Sequence, residues 1–189
     1  MCHPERSGGP CVSTVSRAIS PTTIPEPWLQ GTLKDVPAIP RAVLHALELA
    51  RQDLQHWCGQ FTEEELNSRV EGLPSVAFHI RHVARSIDRL LTYAEGNQLN
   101  PEQMALLRTE LHEHSAPKDL FAELGSALAK ATQCIRALDP TKFEQPREVG
   151  RNELPTTLGG LLVHVADHTQ RHVGQAITTA KLVKARQKT

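Results

Sequence analysis

The sequence predicts an all-α protein, a four-helix bundle preceded by a flexible N-terminal tail. Two observations carry this. Four segments of 19–29 residues place apolar side chains at three- and four-residue steps, the period of one helix face. No segment alternates apolar and polar residues as a half-buried strand does, and no internal repeat is present. Helices with one apolar stripe must bury it against one another, and four such stripes close a bundle. A chain of 189 residues suffices for one domain of this kind.

The first 25 residues, opening MCHPERSGGPCVSTVSRAIS, are too rich in Ser, Gly, Pro and Thr to bury a core, and they lack the apolar run of a signal peptide. They are read as a tail, and residues 26–189 as the bundle domain. Pro25, Pro27, Pro37 and Pro40 punctuate an extended lead-in. Pro40 suits a first helical turn, where its missing N–H costs nothing. Val43, Leu47, Ala50, Leu54 and Trp57 then define a helix over 40–58, followed by Gly59. Ser75 opens the second helix, over 75–95, whose stripe runs from Val76 through Ile80, Val83, Ile87 and Leu91 to Ala94. Its wet side is read as Arg81, Arg85 and Asp88, and Gly96-Asn97 ends it. Residues 101–113 form a short connecting helix. Leu120, Leu124, Leu128, Ala131, Ile135 and Leu138 give the third helix, over 118–138, which Asp139-Pro140 stops. The fourth helix, over 156–184, carries Leu158, Leu162, Val165, Thr169, Ala176, Ala180 and Val183. The long connection between the second and third helices permits a crossover. The 139–155 loop is long enough to suggest a functional role, and it is expected to cover the site described next.

Composition excludes several functions. Lys plus Arg and Asp plus Glu both number 21, and only 4% of residues are aromatic. Neither a basic nucleic-acid surface nor a stacking platform for single strands fits. No apolar run approaches the ~18–20 residues of a membrane span. Four cysteines, Cys2, Cys11, Cys58 and Cys134, form no CxxC pair, which points to a reducing, cytoplasmic compartment.

Histidine is the unusual residue, with 10 copies. The fourth helix contains His164, His168 and His172, followed by Gln175. Histidines four apart stand one turn apart on nearly one face and can chelate one ion. His164 and His172 are separated by a rise of ~12 Å and cannot share it. On the helical wheel His172 lies roughly 40° from the core line, His168 roughly 80° and His164 roughly 120°. His168 and His172 are therefore the candidate pair, with Gln175 on the same flank. A third ligand should come from a neighbouring helix. The second helix offers His79 and His82, and burial on its wheel slightly favours His79, so spacing alone leaves the choice open. His3, His45, His56, His112 and His114 are read as surface or structural residues. Asp88, Asp167, Arg81, Arg85 and Arg89 are read as solvated charge. Cys58 and Cys134 are read as small core residues or partly exposed thiols.

A Ser opening the second helix, a His seven residues later, a Ser four after that, and H-x-x-x-H-x-x-Q on the last helix together resemble the DinB/YfiT-like family. Here these are Ser75, His82, Ser86, His168, His172 and Gln175. The resemblance covers about residues 40–184. It departs at Leu73-Pro74, where relatives carry an aromatic residue near the helix start. It implies a four-helix bundle in which three helix-borne histidines hold one divalent metal, zinc or nickel, with open positions. It makes His82 the third ligand and His79 the runner-up. It further implies an enzyme that transfers a small thiol to an electrophile in detoxification or stress response. A metal-dependent hydrolase and a non-catalytic metal-binding or interaction bundle, as a homodimer, are the alternatives.

Overall fold

The computed structural model describes residues 25–187; the tail assigned to residues 1–25 lies almost wholly outside them, as do Cys2, Cys11 and His3. Six helices are present among the described residues: α1 (Ala38–Cys58), α2 (Glu63–Asn67), α3 (Val76–Ala94), α4 (Pro101–Thr109), α5 (Pro117–Ala137) and α6 (Leu158–Arg186). The four long ones match the expected segments to within two residues at each end. Two short strands, β1 (Pro146–Val149) and β2 (Leu154–Thr157), pair antiparallel within the loop expected to lack regular structure. They were not legible because each spans four residues and buries no side chain fully.

Local chemistry sets the ends. The Ser75 hydroxyl accepts from the Phe78 amide at 3.1 Å and caps α3. Thr62 and Glu65 close a capping box on α2, the short helix that the periodicity does not reveal. Asn100 and Gln103 do the same for α4. The Thr157 hydroxyl accepts from the Gly160 amide at 3.0 Å and starts α6. Thr157→Ala should therefore lower the stability by about 1 kcal/mol, as a shift of the urea midpoint without change of slope.

The packing order gives the topology. α6 lies between α1 and α3, and α5 packs on α3 and α1. The Gln170 side chain donates to the Ala46 carbonyl, and Lys181 lies over the Trp57 ring eleven residues further along both helices, so α1 and α6 run in the same direction. Arg85 meets Glu123 and Asp88 meets Lys130, so α3 and α5 also run in the same direction. His79 meets His172 and His82 meets His168, so α3 and α6 are antiparallel. The order is thus up-down-down-up. Two neighbouring parallel helices need a return along the bundle, and residues 95–116, with α4, supply it. This is the crossover that the long connection permitted.

The core is a continuous layer of aliphatic side chains, including the fully buried Leu54, Ile80, Val83, Ala131, Ile135, Leu162 and Val165. No helix among the described residues is long and apolar enough to cross a membrane.

Away from the core, the Glu65 carboxylate is buried and binds Lys184 and Gln187 near the end of α6. The bonds from Lys184 and from the Thr62 amide hold its pKa at about 2, below the ordinary 4.5. A depressed carboxyl pKa stabilises the fold fully above the unfolded value and progressively less as pH falls through the folded one. The stability difference between wild type and Glu65→Gln should therefore be constant above pH 5 and shrink towards pH 2.

Candidate metal centre

α3 and α6 meet along a seam that carries the histidines. Because they are antiparallel, His82 faces His168, with Nε2 atoms 2.9 Å apart, and His79 faces His172, with Nδ1 atoms 3.2 Å apart. The His82 and His172 rings are 4.2 Å apart, and those of His168 and His172 4.7 Å. One nitrogen from each of His82, His168 and His172 falls within 4.8 Å of the others, and all three residues are half-buried. A zinc ion bound to nitrogen at ~2.0–2.1 Å spaces its ligand atoms by roughly 3.4 Å, so three imidazoles this close fit a divalent cation.

His164 is exposed, as the wheel expected, and its nearest carboxylate is Asp167 at 3.9 Å. His79 is buried, also as the wheel expected, but it stands behind His172 rather than among the three. Gln175 is exposed near the same seam. Ser86 is buried and donates to the Val83 carbonyl at 3.2 Å, which makes it a packing residue.

Protonation favours metal binding. Burial, reinforced by neighbouring imidazoles, lowers the pKa of His79 and His168 to about 4 and that of His172 to about 3. At neutral pH these rings are neutral and carry lone pairs. The Glu110 carboxylate fixes the tautomer of His82. It accepts a hydrogen bond from His82 Nδ1 at 2.7 Å, so the proton sits on Nδ1 and the Nε2 lone pair points towards His168. A carboxylate behind a histidine is the usual outer support of a metal ligand. Burial alone would raise the Glu110 carboxyl, but the bonds from His82 and Arg89 hold it below its ordinary value.

Glu110 is the residue of the candidate centre that the sequence did not reveal. It lies just past α4, in a stretch with a weak apolar period, and nothing in the spacing links it to a histidine 28 positions earlier. The arginines require a correction for the same reason. Arg81, Arg85 and Arg89 are not a solvated stripe but are buried, because 95–116 folds back over that face of α3. Arg81 donates to the Glu110 carbonyl and to Ser115 Oγ. Arg85 binds Glu113 and Glu123, and Arg89 binds Glu110 at 3.0 and 3.3 Å. Asp88 is likewise half-buried, held by Gln103 at 2.5 Å and Lys130 at 2.6 Å. Asp167 is exposed and pairs with Arg171.

Cys58 is buried away from the cluster, and burial pushes its thiol up to about 12. Cys134 is half-buried. His45 is buried against Thr32 Oγ1 at 3.1 Å, a satisfied structural histidine.

The 139–155 loop does not cover the cluster. Its hairpin packs at the C-terminal end of α3, where Arg147 donates to the Ala94 carbonyl at 2.6 Å. That is twelve residues beyond His82, a rise of ~18 Å. The cluster is reached instead by a cleft of about 610 Å³ at the opposite end of α3, lined in part by Leu73, Phe78, His79 and His172.

Two solved structures share the fold. A conserved protein from Enterococcus faecalis matches with a TM-score of 0.62 at 19% identity, over 79% of this chain and 99% of that one. YfiT from Bacillus subtilis, described as a probable metal-dependent hydrolase with an unusual four-helix bundle topology, matches with a TM-score of 0.57 at 18% identity, over 75% of this chain and 85% of that one. No curated protein matches this chain. The family model of the DinB superfamily matches residues 46–176, a span that holds α3, most of α6 and all the histidines of the cluster, and the chain therefore belongs to the DinB superfamily.

Proposed function

We propose that this protein is a divalent-metal-dependent enzyme that holds zinc or nickel through His82, His168 and His172 and transfers a small thiol to an electrophile. The observation that carries the metal assignment is the convergence of three imidazoles from two antiparallel helices, with Glu110 turning the His82 lone pair towards the other two. The description of YfiT as a probable metal-dependent hydrolase supports the same general chemistry. When bound, such an ion supplies a double positive charge that favours thiolate over thiol, or lowers the pKa of a water ligand.

The chain's own residues prepare the centre. Three neutral ligands leave the cation's charge undiminished. His79 pins the far nitrogen of His172, and Glu110 pins that of His82, so neither ring turns away. Glu110 is itself engaged by His82 and Arg89, which leaves it poorly placed to serve as a general base. That favours a nucleophile activated by charge alone, as a thiol can be. In the overall reaction the thiol loses its proton to solvent and its sulfur bonds to the electrophilic carbon. The bond from that carbon to the leaving group breaks with its electron pair on the leaving group. A role in detoxification or stress response follows from that chemistry.

The test incubates zinc- or nickel-loaded protein with several biological thiols and a chromogenic electrophile, with His172→Ala as control. Turnover should require both metal and thiol and should be lost in the variant. Turnover that persists without thiol, or in His172→Ala, would overturn the thiol-transfer reading. Metal-dependent cleavage of an activated ester without thiol would favour a hydrolase.

A further inference from the structure

The cleft beside His172 is a second binding element that the metal assignment does not use. Its floor is apolar: Leu73 and Pro74, just ahead of α3, and Phe78 in the first turn of α3. Leu73 is 39% exposed and presents its aliphatic side chain to the cleft. Phe78 stacks on His82, with ring centres 5.4 Å apart and planes 25° apart, while also lining the cleft. It therefore joins the cleft physically to the histidines. The opposite wall is α6, with Gly174, Gln175 and Thr178. The Gln175 amide has no hydrogen-bond partner among the described residues, and Gly174 leaves open space where a Cβ would stand. The volume of about 610 Å³ lies within the range of small-molecule sites, ~300–1,000 Å³.

The cleft's one cation, Arg171, is engaged by Asp167 at 2.6 Å, and no carboxylate lines the cleft. A flat ring can stack on Phe78 and lie against the bare backbone of Gly174, with a carbonyl or nitro oxygen accepting from Gln175.

We infer that this cleft binds an aromatic body of the electrophile and that Gly174 keeps it open. The inference rests on the metal-dependent reading for the reaction but makes a binding prediction of its own. The experiment measures equilibrium binding of 1,3-dinitrobenzene, an unreactive aromatic probe, to the full zinc-loaded chain by ligand-observed NMR, with nitroethane as the small counterpart. The variants Gly174→Ala, Gly174→Leu and Gly174→Phe fill the cleft stepwise. Alanine improves helix propensity here, so at least that variant folds, and circular dichroism checks the others.

Wild type should prefer the aromatic probe at least about tenfold. Probe affinity should fall progressively along the series, at least about tenfold by leucine, while zinc affinity stays within about twofold. Equal affinity across the folded variants, or no preference for the aromatic probe in wild type, would overturn the inference. Zinc titration of the same samples separates the two readings. Zinc binding without probe binding sinks the cleft alone; probe binding that tracks Gly174 without zinc binding leaves the cleft standing and sinks the metal centre.

Discussion

Alanine at His168 or at His172 should cost about a hundredfold or more in zinc affinity, measured by competition with a chromophoric chelator. Loss of an outer partner of a ligand typically costs ~10–100-fold, so loss of a ligand should exceed that range. His82→Ala should behave as the other two do. His164→Ala should change little, because His164 is exposed and one turn beyond the pair. His79→Ala should fall between, since it removes the bond to His172 Nδ1 but no ligand. A loss at His164 equal to that at His172 would mean that the centre lies one turn nearer the start of α6. A loss at His79 larger than at His82 would make His79 the third ligand.

Glu110→Ala should have two effects through one side chain. The carboxylate is 3% exposed and accepts from both His82 and Arg89. Removing it leaves the Arg89 guanidinium buried without a counter-charge, and breaking a buried pair in this way costs about 3–5 kcal/mol. The same change frees His82 to take the wrong tautomer, at a cost of ~10–100-fold in zinc affinity. Urea unfolding of the metal-free protein reads the first effect and chelator competition the second. Glu110→Gln keeps an acceptor for His82 without the charge and should fall between in both. Glu123→Ala is the control, because Arg85 keeps Glu113 when Glu123 is removed. If it destabilises as much as Glu110→Ala, Glu110 has no special place.

The long helices were legible because an apolar stripe at a 3.6-residue period is a strong local signal, from Val43 to Leu54 and from Leu158 to Val183. The preference for His168-His172 over His164 was legible on the same ground, since the wheel reports burial. That His82 rather than His79 joins them in the cluster was not. Burial favoured His79, which is indeed the more buried of the two, yet burial is a poor guide to which ring faces a partner helix at the right height. Only the family resemblance pointed to His82. The arginines failed for a related reason. A charged residue on the flank of a stripe is normally solvated, and only the return of 95–116 across α3, a tertiary event, covers Arg81, Arg85 and Arg89. Helix direction was equally hidden, because no local pattern states whether α5 runs with or against α3.

The hairpin between α5 and α6 acts as a ruler. Arg147 grips the carbonyl at the end of α3, while the Leu158 and Gly159 amides, at the start of α6, donate to Gln145 and Phe143 just before the strands. The two helices that carry the histidines are thereby tied at one end, ~18 Å from His82 and ~15 Å from His168. Sliding either helix by one turn, ~5.4 Å, would exceed the spacing that keeps three imidazoles together. The histidine cluster depends on axial registry fixed by a segment that never touches it. Changes in hairpin length should therefore be felt as a loss of coordination at a distance, whereas lengthening the tail ahead of α1 should leave the histidines aligned.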